Sequence, residues 1–324
     1  MRKKMIVAAC GVAIAVGFSA CDKKEPGYSS NETVNFGTYN IVAAEGEAPY
    51  VAPVRYQYNN HVDIGAQTQT MAMFINDMKV NKDDKVSFKT MALPYKSGSV
   101  RIGESDYACI FMSGSDVTGN EKTSVKDFDC LLTYAAYMPS AEIPGYPVSV
   151  PKNDKITDPA RQREYYTVMS YKLDDKWRVR TFWPDVTFKG TTTTSYPGMD
   201  KSFTSDKIEY RVVLDLKKEG APKADVFLIN ACFAPNMPKL KLALRGLPVT
   251  FNENGYVIEV TDVNPEQIEG EDFTENRGFP FDRFSMTFDA EKCSADIEYK
   301  VKKVFDGKFN GNYILMLEEG AEQK

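Results

Sequence analysis

The sequence predicts an all-β protein made of two tandem antiparallel β-barrel or curved-sheet domains. Apolar and polar residues alternate with a period of two along most of the chain, as expected of strands with one buried and one wet face. Sustained helical periodicity is absent, and 18 Tyr and 19 Phe are typical of strand-rich proteins. Residues 74–94 also match residues 228–248 without gaps, at an offset of 154. This repeat predicts two copies of one β unit.

Residues 1–20 have the form of a lipoprotein signal peptide. A basic start precedes an apolar run over residues 5–18, which is short for a membrane span. The ending Phe18-Ser-Ala-Cys21 resembles a bacterial lipobox, which implies cleavage before Cys21 and lipidation of Cys21. A plain signal peptide with an unmodified Cys21 is the alternative. Residues 21–31 are interpreted as the lipidated Cys and a polar tether.

The charge of the mature chain disfavours polyanionic partners. Removal of the leader leaves 37 Lys and Arg against 45 Asp and Glu, a formal charge of -8. An acidic surface disfavours nucleic acid and anionic headgroups, so the lipid on Cys21 is expected to supply the membrane contact. The charged residues just after Cys21 partly resemble surface-export signals of Bacteroidales lipoproteins. We therefore expect an outer-membrane protein, with the leaflet left open.

The two copies begin with similar segments and end with similar hairpins, which places the boundary between them near Pro184. The first β domain is predicted over residues 32–183, the second over 184–318, and a polar tail over 319–324. In the second copy, Asp306-Gly307 is the predicted hairpin turn, because Gly accepts the positive φ of a primed turn. The first copy carries a Pro-rich insertion, residues 139–164. This insertion is predicted to pack as a loop over one barrel or sheet end, with a short helix over residues 160–165.

Three further segments carry expectations about local structure. Residues 261–278 are acidic but lack calcium-loop spacing, so they are interpreted as a solvated loop. Residues 191–195, TTTTS, are interpreted as an edge or linker strand. Cys130 and Cys293 lie in phase with apolar neighbours, and the chain has no CxxC motif. We therefore expect the four remaining cysteines to be free and buried.

The second copy carries a family resemblance. Its motifs are Ala224-Asp-Val-Phe-Leu-Ile-Asn, Met237-Pro-Lys-Leu, Gly246-Leu-Pro-Val and Phe279-Pro-Phe-Asp-Arg-Phe. This series resembles the calycin-like or lipocalin-like domains of uncharacterised Bacteroidales lipoproteins. In the first copy only residues 74–94 and the terminal hairpin match. The resemblance implies an up-and-down barrel or strongly curved sheet in each domain, and it brings no catalytic residues.

The residues available for chemistry argue against an enzyme. His61 is the only histidine, which excludes zinc sites built on two or three His. It follows Asn59-Asn60, a context that predicts an exposed turn. There is no Gly-x-Ser-x-Gly elbow and no Gly-rich phosphate cradle. We expect no catalytic residue, cofactor or metal, and a carboxylate-dependent hydrolase is the less favoured alternative because such a pair leaves no sequence signature.

An aromatic cluster near the end of the first copy supplies the candidate binding residues Trp177, Trp183, Tyr171 and Arg178. The alternative is that Trp177 and Phe309 fill the two cores and that Trp183 fills the contact between domains. The predicted function is a non-catalytic envelope protein that binds a small apolar ligand inside a hollow barrel, or a glycan at loops and grooves. A structural or adhesive surface protein with a protein partner in the envelope is the alternative function.

Overall fold

The structure, a computed structural model, describes residues 27–63, 68–119, 122–135, 143–146, 164–216, 220–302 and 304–317. Every regular element in these ranges is a β-strand, which confirms the all-β prediction. The strands form two sheets of eleven strands each. Cys21 and the leader lie outside the described residues, and strand β1 takes in residues 27–31 of the segment interpreted as a tether.

The first sheet is antiparallel and runs mostly in sequence order. Its strands are β1 (Gly27–Ala44), β2 (Tyr50–Asp63), β3 (Thr68–Lys79), β4 (Lys85–Lys89), β5 (Leu93–Pro94), β6 (Lys96–Ile102), β7 (Ser105–Asp116), β8 (Val125–Ala135), β9 (Glu164–Leu173), β10 (Trp177–Phe182) and β22 (Leu315–Leu317). The spatial order is β22-β6-β7-β8-β9-β10-β1-β2-β3-β4, and β5 pairs with β3.

The first sheet rolls onto itself. In the strand order β4 lies five steps from β9, about 24 Å in a flat sheet. The rings of Phe88 in β4 and Tyr171 in β9 are nevertheless 5.4 Å apart between centroids. Backbone bonds from the Met91 amide to the Val117 carbonyl and from the Gly119 amide to the Lys89 carbonyl, both 2.8 Å, join the β4 end to the β7 end. The rolled sheet therefore has a buried concave face.

The second sheet closes into a barrel. Its strands are β11 (Asp185–Ser195), β12 (Ser202–Ser205), β13 (Glu209–Asp215), β14 (Lys223–Ala231), β15 (Leu240–Phe251), β16 (Gly255–Val263), β17 (Glu266–Glu269), β18 (Asp272–Glu275), β19 (Phe281–Asp289), β20 (Ser294–Val301) and β21 (Phe305–Asn312). Eight strands, in the order β14-β13-β11-β21-β20-β19-β16-β15, close through an additional β14–β15 pairing. The barrel strands thus follow the same up-and-down order as the first sheet.

The two sheets pack against each other, and the last described strand, which follows the barrel, joins the first sheet. Pro184 lies between β10 and β11, where the chain leaves the first sheet. After the barrel is complete, β22 returns and pairs with β6 of the first sheet. Phe182 on the outer face of the first sheet stacks with Phe251 and Tyr256 of the barrel, with centroids 5.6 and 6.4 Å apart. One apolar cluster therefore runs from the outer face of the first sheet into the barrel.

The repeated segments form equivalent strand pairs, but their registers differ by one residue. Phe74 pairs with Lys89, whereas Leu228, its counterpart at the offset of 154, pairs with Leu242. The ungapped match would have placed Ala243 opposite Leu228. The pairing has one irregularity between β3 and β4 and two between β14 and β15. Because each bulge adds one residue to one strand, an ungapped alignment cannot hold across both strands.

Two predicted turns lie inside strands. Asp306 and Gly307 belong to β21 and pair with Lys300 and Tyr299, so the predicted Asp-Gly turn is wrong. The hairpin turns between Val301 and Phe305 instead. Gly307 is required for close approach, since a Cβ there would lie 2.2 Å from the Tyr299 ring. His61 is exposed as expected, but it lies in β2 and not in a turn.

The acidic segment 261–278 is mostly strand, and the prediction of a loop is wrong. Residues 266–275 form the β17–β18 hairpin, which pairs with β15 on the barrel exterior. Glu266 receives hydrogen bonds from the Arg245 guanidinium, which fixes the hairpin to β15. Residues 191–195 are not an edge, because β11 is paired with β12 on one side and β21 on the other. Thr192 and Thr194 are buried there.

The Pro-rich insertion contributes a four-residue described segment, residues 143–146, to the outside of the barrel. Ile143 packs with Phe227 and Ile229 of β14, and Tyr146 stacks edge-on against Phe227 at 4.7 Å. This segment therefore covers a barrel wall and not the predicted barrel or sheet end. In the range predicted as a helix, residues 160–163 lie outside the described residues, while 164 and 165 begin strand β9.

Candidate functional site

The concave face of the first sheet is filled by large side chains. Tyr56, Tyr58 and Tyr171 are at most 1% exposed. The Tyr56 hydroxyl donates to the Asn40 Oδ1 at 2.7 Å and lies 3.1 Å from the Tyr171 hydroxyl. Burial raises the pKa of both tyrosines. Side chains from opposite walls thus meet at the centre of the rolled sheet.

The barrel interior is filled in the same way, mainly by aromatic rings. Tyr210 and Phe309 lie 4.4 Å apart between centroids, and Phe233 and Phe305 lie 4.6 Å apart. The Tyr210 hydroxyl donates to the Tyr299 hydroxyl at 3.2 Å. All five rings are at most 3% exposed. These contacts occupy the space that a small ligand would need in a hollow barrel.

An open groove lies instead where the two sheets meet, and we call it the junction groove. It encloses about 530 Å³, within the usual range of small-molecule sites. One wall is the turn after β1, the second is the β9–β10 hairpin, and the third is residues 251–253 of the barrel. The groove therefore exists only when both sheets are in place.

Trp177 and Arg178 both line the junction groove. Trp177 is half-buried at the start of β10, and the Lys176 Nζ lies over its ring, 4.5 Å from the centroid. Lys176 is exposed, so its flexible chain can move aside and free the ring face. Arg178 is also half-buried, and its Nε has no hydrogen-bond partner among the described residues.

Charges of both signs line the junction groove. Lys172 and Arg178 occupy paired positions on β9 and β10, and Lys172 forms an ion pair with Asp127 at 2.6 Å. The hydrogen bond from Lys172 lowers the pKa of Asp127. Glu45 and Glu253 stand on the opposite walls of the groove. The rim thus offers both donors and acceptors around an apolar ring.

The other two candidate residues lie elsewhere. Trp183 is 6% exposed within the apolar cluster shared by the sheets. Tyr171 is 1% exposed in the concave core. Trp177 and Arg178 therefore share the junction groove, but Trp177 also packs against the concave core that contains Tyr171. Trp183 lies in the other cluster. In the β20–β21 hairpin of the barrel, Phe305 occupies the position that Trp177 occupies in the β9–β10 hairpin. Trp177 pairs with Leu173, and Phe305 pairs with Val301 in the same way.

Arg180 holds the sheets together beside the groove. It is 5% exposed, its Nε donates to the Glu291 Oε2 at 3.1 Å, and its Nη1 donates to the Glu253 carbonyl. Sequence reasoning did not select Glu253, Asn252 or Glu45 for this site. Lys172 and Lys176 belong to the same predicted hairpin as Trp177, so the sequence could have indicated them. Asn252 and Glu253 come from the barrel, and no pattern in their local sequence places them at this groove.

No three His, Cys, Asp or Glu side chains of the described ranges are grouped so that they could hold a metal ion. The described part of the chain also contains no helix long and apolar enough to cross a membrane. Cys109, Cys130 and Cys293 are free and buried, and Cys232 is free and half-buried. The prediction of free, buried thiols is therefore confirmed for Cys109, Cys130 and Cys293, whereas Cys232 is free but only half-buried.

Comparison with protein-family models, with curated proteins and with solved structures found no match to this chain.

Proposed function

We propose that the protein is a non-catalytic, lipid-anchored binding protein of the cell envelope that takes a glycan in the junction groove. The observation that carries the proposal is that the half-buried Trp177 lines an open groove together with hydrogen-bonding side chains, while it also packs against the concave core. An indole ring offers a flat apolar surface to the C–H face of a sugar. The hydroxyl groups at the sugar edge would then meet Arg178, Glu253 and Asn252.

A glycan is favoured over a small apolar ligand because of where the open space lies. Both interiors are packed with aromatic rings, as the Tyr56–Tyr171 and Tyr210–Phe309 contacts illustrate. An apolar ligand would have to displace these side chains and would leave tyrosine hydroxyls unpaired. The junction groove, in contrast, is open and carries charged and amide groups suited to a polar ligand.

Lipidation of Cys21, two tandem calycin-like domains split near Pro184, and an outer-membrane location complete the proposal. The lipobox-like ending of the leader supports the anchor, and the shared strand order of the two sheets supports the tandem arrangement. Strand β1 begins at Gly27, six residues after Cys21. An extended link of that length spans at most about 20 Å, so the first sheet would stand close to the membrane. Metabolic labelling with palmitate, compared between wild type and Cys21→Ala, tests the anchor.

The glycan site can be tested with one fluorescent reporter. The Trp183→Phe variant leaves Trp177 as the single tryptophan, so its emission reports the groove. We expect a glycan array to identify a binding oligosaccharide whose titration shifts this emission. The Trp177→Leu variant is expected to lose at least about tenfold in affinity, because a stacking ring is removed. Trp183→Phe serves as the matched control and should bind as the wild type does.

Two results would overturn the glycan proposal. One is a Trp177→Leu variant that binds the oligosaccharide as tightly as Trp183→Phe. The other is a fatty acid that changes the emission and melting temperature while no glycan does, which would return the function to an apolar ligand. A screen on ester, glycoside and peptide substrates tests the non-catalytic part. Turnover that a single Asp or Glu substitution abolishes would identify a hydrolase instead.

A structural or adhesive role is the second candidate, and the exposed sheet edge at β22 favours it. Among the described strands β22 pairs only with β6, and Leu315 and Met316 are 48% and 50% exposed. An edge with apolar side chains can add a strand from another chain. Native mass measurement of the wild type and of Leu315→Lys tests this role. A wild type that stays monomeric at high concentration argues against it.

A further inference from the structure

A second cavity, of about 490 Å³, lies on the outer face of strands β7, β8 and β9. Glu291, Lys292 and Cys293 of the barrel and Ile314 and Met316 near β22 cover it. Arg180 links it to the junction groove, because it bonds Glu291 on this side and Glu253 on the other. The two spaces share no lining residue.

The cavity floor consists of two rows of side chains set by strand register. Ser113, Asp129 and Ser170 occupy one row, since Asp129 pairs with both serines. The adjacent row contains three apolar side chains, which come from Phe111, Leu131 and Val168. A polar stripe therefore runs beside an apolar stripe, and both face the same cavity.

Two polar residues of the stripe differ in exposure. Asp129 is exposed and forms no ion pair with a described residue, whereas Ser170 is 4% exposed. The other charged lining residues are engaged. Glu291 is held by Arg180, and Lys292 forms an ion pair with Asp289 at 2.9 Å. The acceptors facing the cavity are thus one exposed carboxylate and the hydroxyl of a buried serine, on paired positions.

The electrostatic setting of Asp129 favours a positive ligand. Asp129 is exposed, yet partial desolvation beside the cavity raises its pKa, and the like charges of Glu291 and Asp127 raise it further. A cation beside the carboxylate would offset this repulsion. An ammonium group suits both acceptors because it carries three donors.

We propose that this cavity binds a small amphiphilic organic cation, an ammonium group on a short apolar chain. The ammonium group lies at Asp129 and Ser170. The apolar chain extends along Leu131, Val168 and Ile314.

Calorimetric titration of the full mature chain with hexylammonium at neutral pH tests the site. We expect single-site binding that Asp129→Asn weakens by at least about tenfold, because a charge-assisted contact is lost. Asp200→Asn is the matched control, since it removes the same charge from an exposed loop position and should leave the affinity unchanged. Hexan-1-ol, which has the same apolar chain without the charge, should bind at least about tenfold more weakly than hexylammonium.

Magnetisation transfer from the hexyl protons to the Val168 methyl groups would locate the chain independently of any substitution. The Trp177→Leu variant should bind hexylammonium normally, so failure at this cavity is distinguishable from failure of the glycan site. Equal binding by Asp129→Asn and wild type, equal binding of hexan-1-ol, or no binding of hexylammonium to the wild type at millimolar concentration would each overturn the inference.

Discussion

Removing the Asp185 carboxylate should destabilise the protein more than removing its partner, Arg211. Arg211 is fully buried, and its guanidinium donates to both carboxylate oxygens of Asp185 at 2.9 and 2.8 Å. A third bond reaches the Tyr146 carbonyl at 3.0 Å. The side chain of Asp185 is 23% exposed, so it can recruit water when it loses its partner, whereas Arg211 cannot.

The magnitudes follow from this asymmetry. Asp185→Ala leaves a buried cation without a counterion, and the cost in unfolding free energy is about 3–5 kcal/mol. Arg211→Met replaces the guanidinium with an apolar chain and leaves a carboxylate near water, so we expect a loss of about 1–2 kcal/mol. The double variant Asp185→Ala/Arg211→Met should cost less than Asp185→Ala alone, because no buried charge then remains.

Urea unfolding followed by tryptophan fluorescence measures these free energies on the mature chain. Glu259→Ala is the control, because its ion pair with Arg283 at 3.2 Å is exposed on both sides. Its expected cost is at most about 1 kcal/mol. If Asp185→Ala costs no more than Glu259→Ala, or if the double variant is less stable than Asp185→Ala, then the unpaired Arg211 charge is not the source of the destabilisation.

Three further predictions concern packing, thiols and pH. Gly307→Ala should lower the unfolding free energy measured in urea by about 2–3 kcal/mol, because the new methyl group would overlap the Tyr299 ring. Gly103→Ala, at φ +64 in open space, should lower it by only about 1 kcal/mol. Equal losses in the two variants would contradict the close approach of Gly307 to the ring. In a chain that starts after Cys21, a thiol reagent at mildly alkaline pH should label Cys232 first. Burial raises the pKa of the other three thiols, to about 11 in Cys109 and about 12 in Cys130 and Cys293. Mass spectrometry that finds a different first labelled site would argue against this burial. Stability should fall as pH rises above about 10, by about 1.4 kcal/mol per pH unit for each buried tyrosine that ionises only after unfolding. The tyrosines concerned have raised pKa values in the folded state, and they are Tyr56, Tyr58, Tyr171, Tyr210, Tyr256 and Tyr299. A urea midpoint that does not change between mildly and strongly alkaline pH would contradict the last prediction.

Strand positions were predictable where the alternation of side chains is local. Strand β20 illustrates this, since its residues alternate between buried and partly or fully exposed along the whole strand. The burial of the Cys130 and Cys293 thiols was predicted from the same alternation. In contrast, Gly307 and His61 resembled turn residues but lie in strands. A glycine needed for close approach to a ring across the pairing cannot be distinguished from a turn glycine by its neighbours in sequence.

Half of the candidate site was accessible from sequence. Trp177 and Arg178 were selected as an aromatic residue next to a cation, and both line the junction groove. Trp183 and Tyr171 belonged to the same cluster in sequence but point into cores. Side chains within one short stretch can line an open groove, pack in a concave core or fill a contact between the sheets. The packing of the two sheets decides which of these places each side chain occupies.

The amino-acid sequence is enough to predict the all-β class and the buried face of many strands, and it contains a single histidine. These properties depend on the order of residues along one strand or on composition. The rolling of the first sheet, the return of β22 and the groove that Trp177 and Glu253 share become visible only in the packed fold. They depend on register and bulges, where a shift of one residue turns each side chain to the opposite face. They also depend on contacts between residues far apart in the chain, which leave no local pattern.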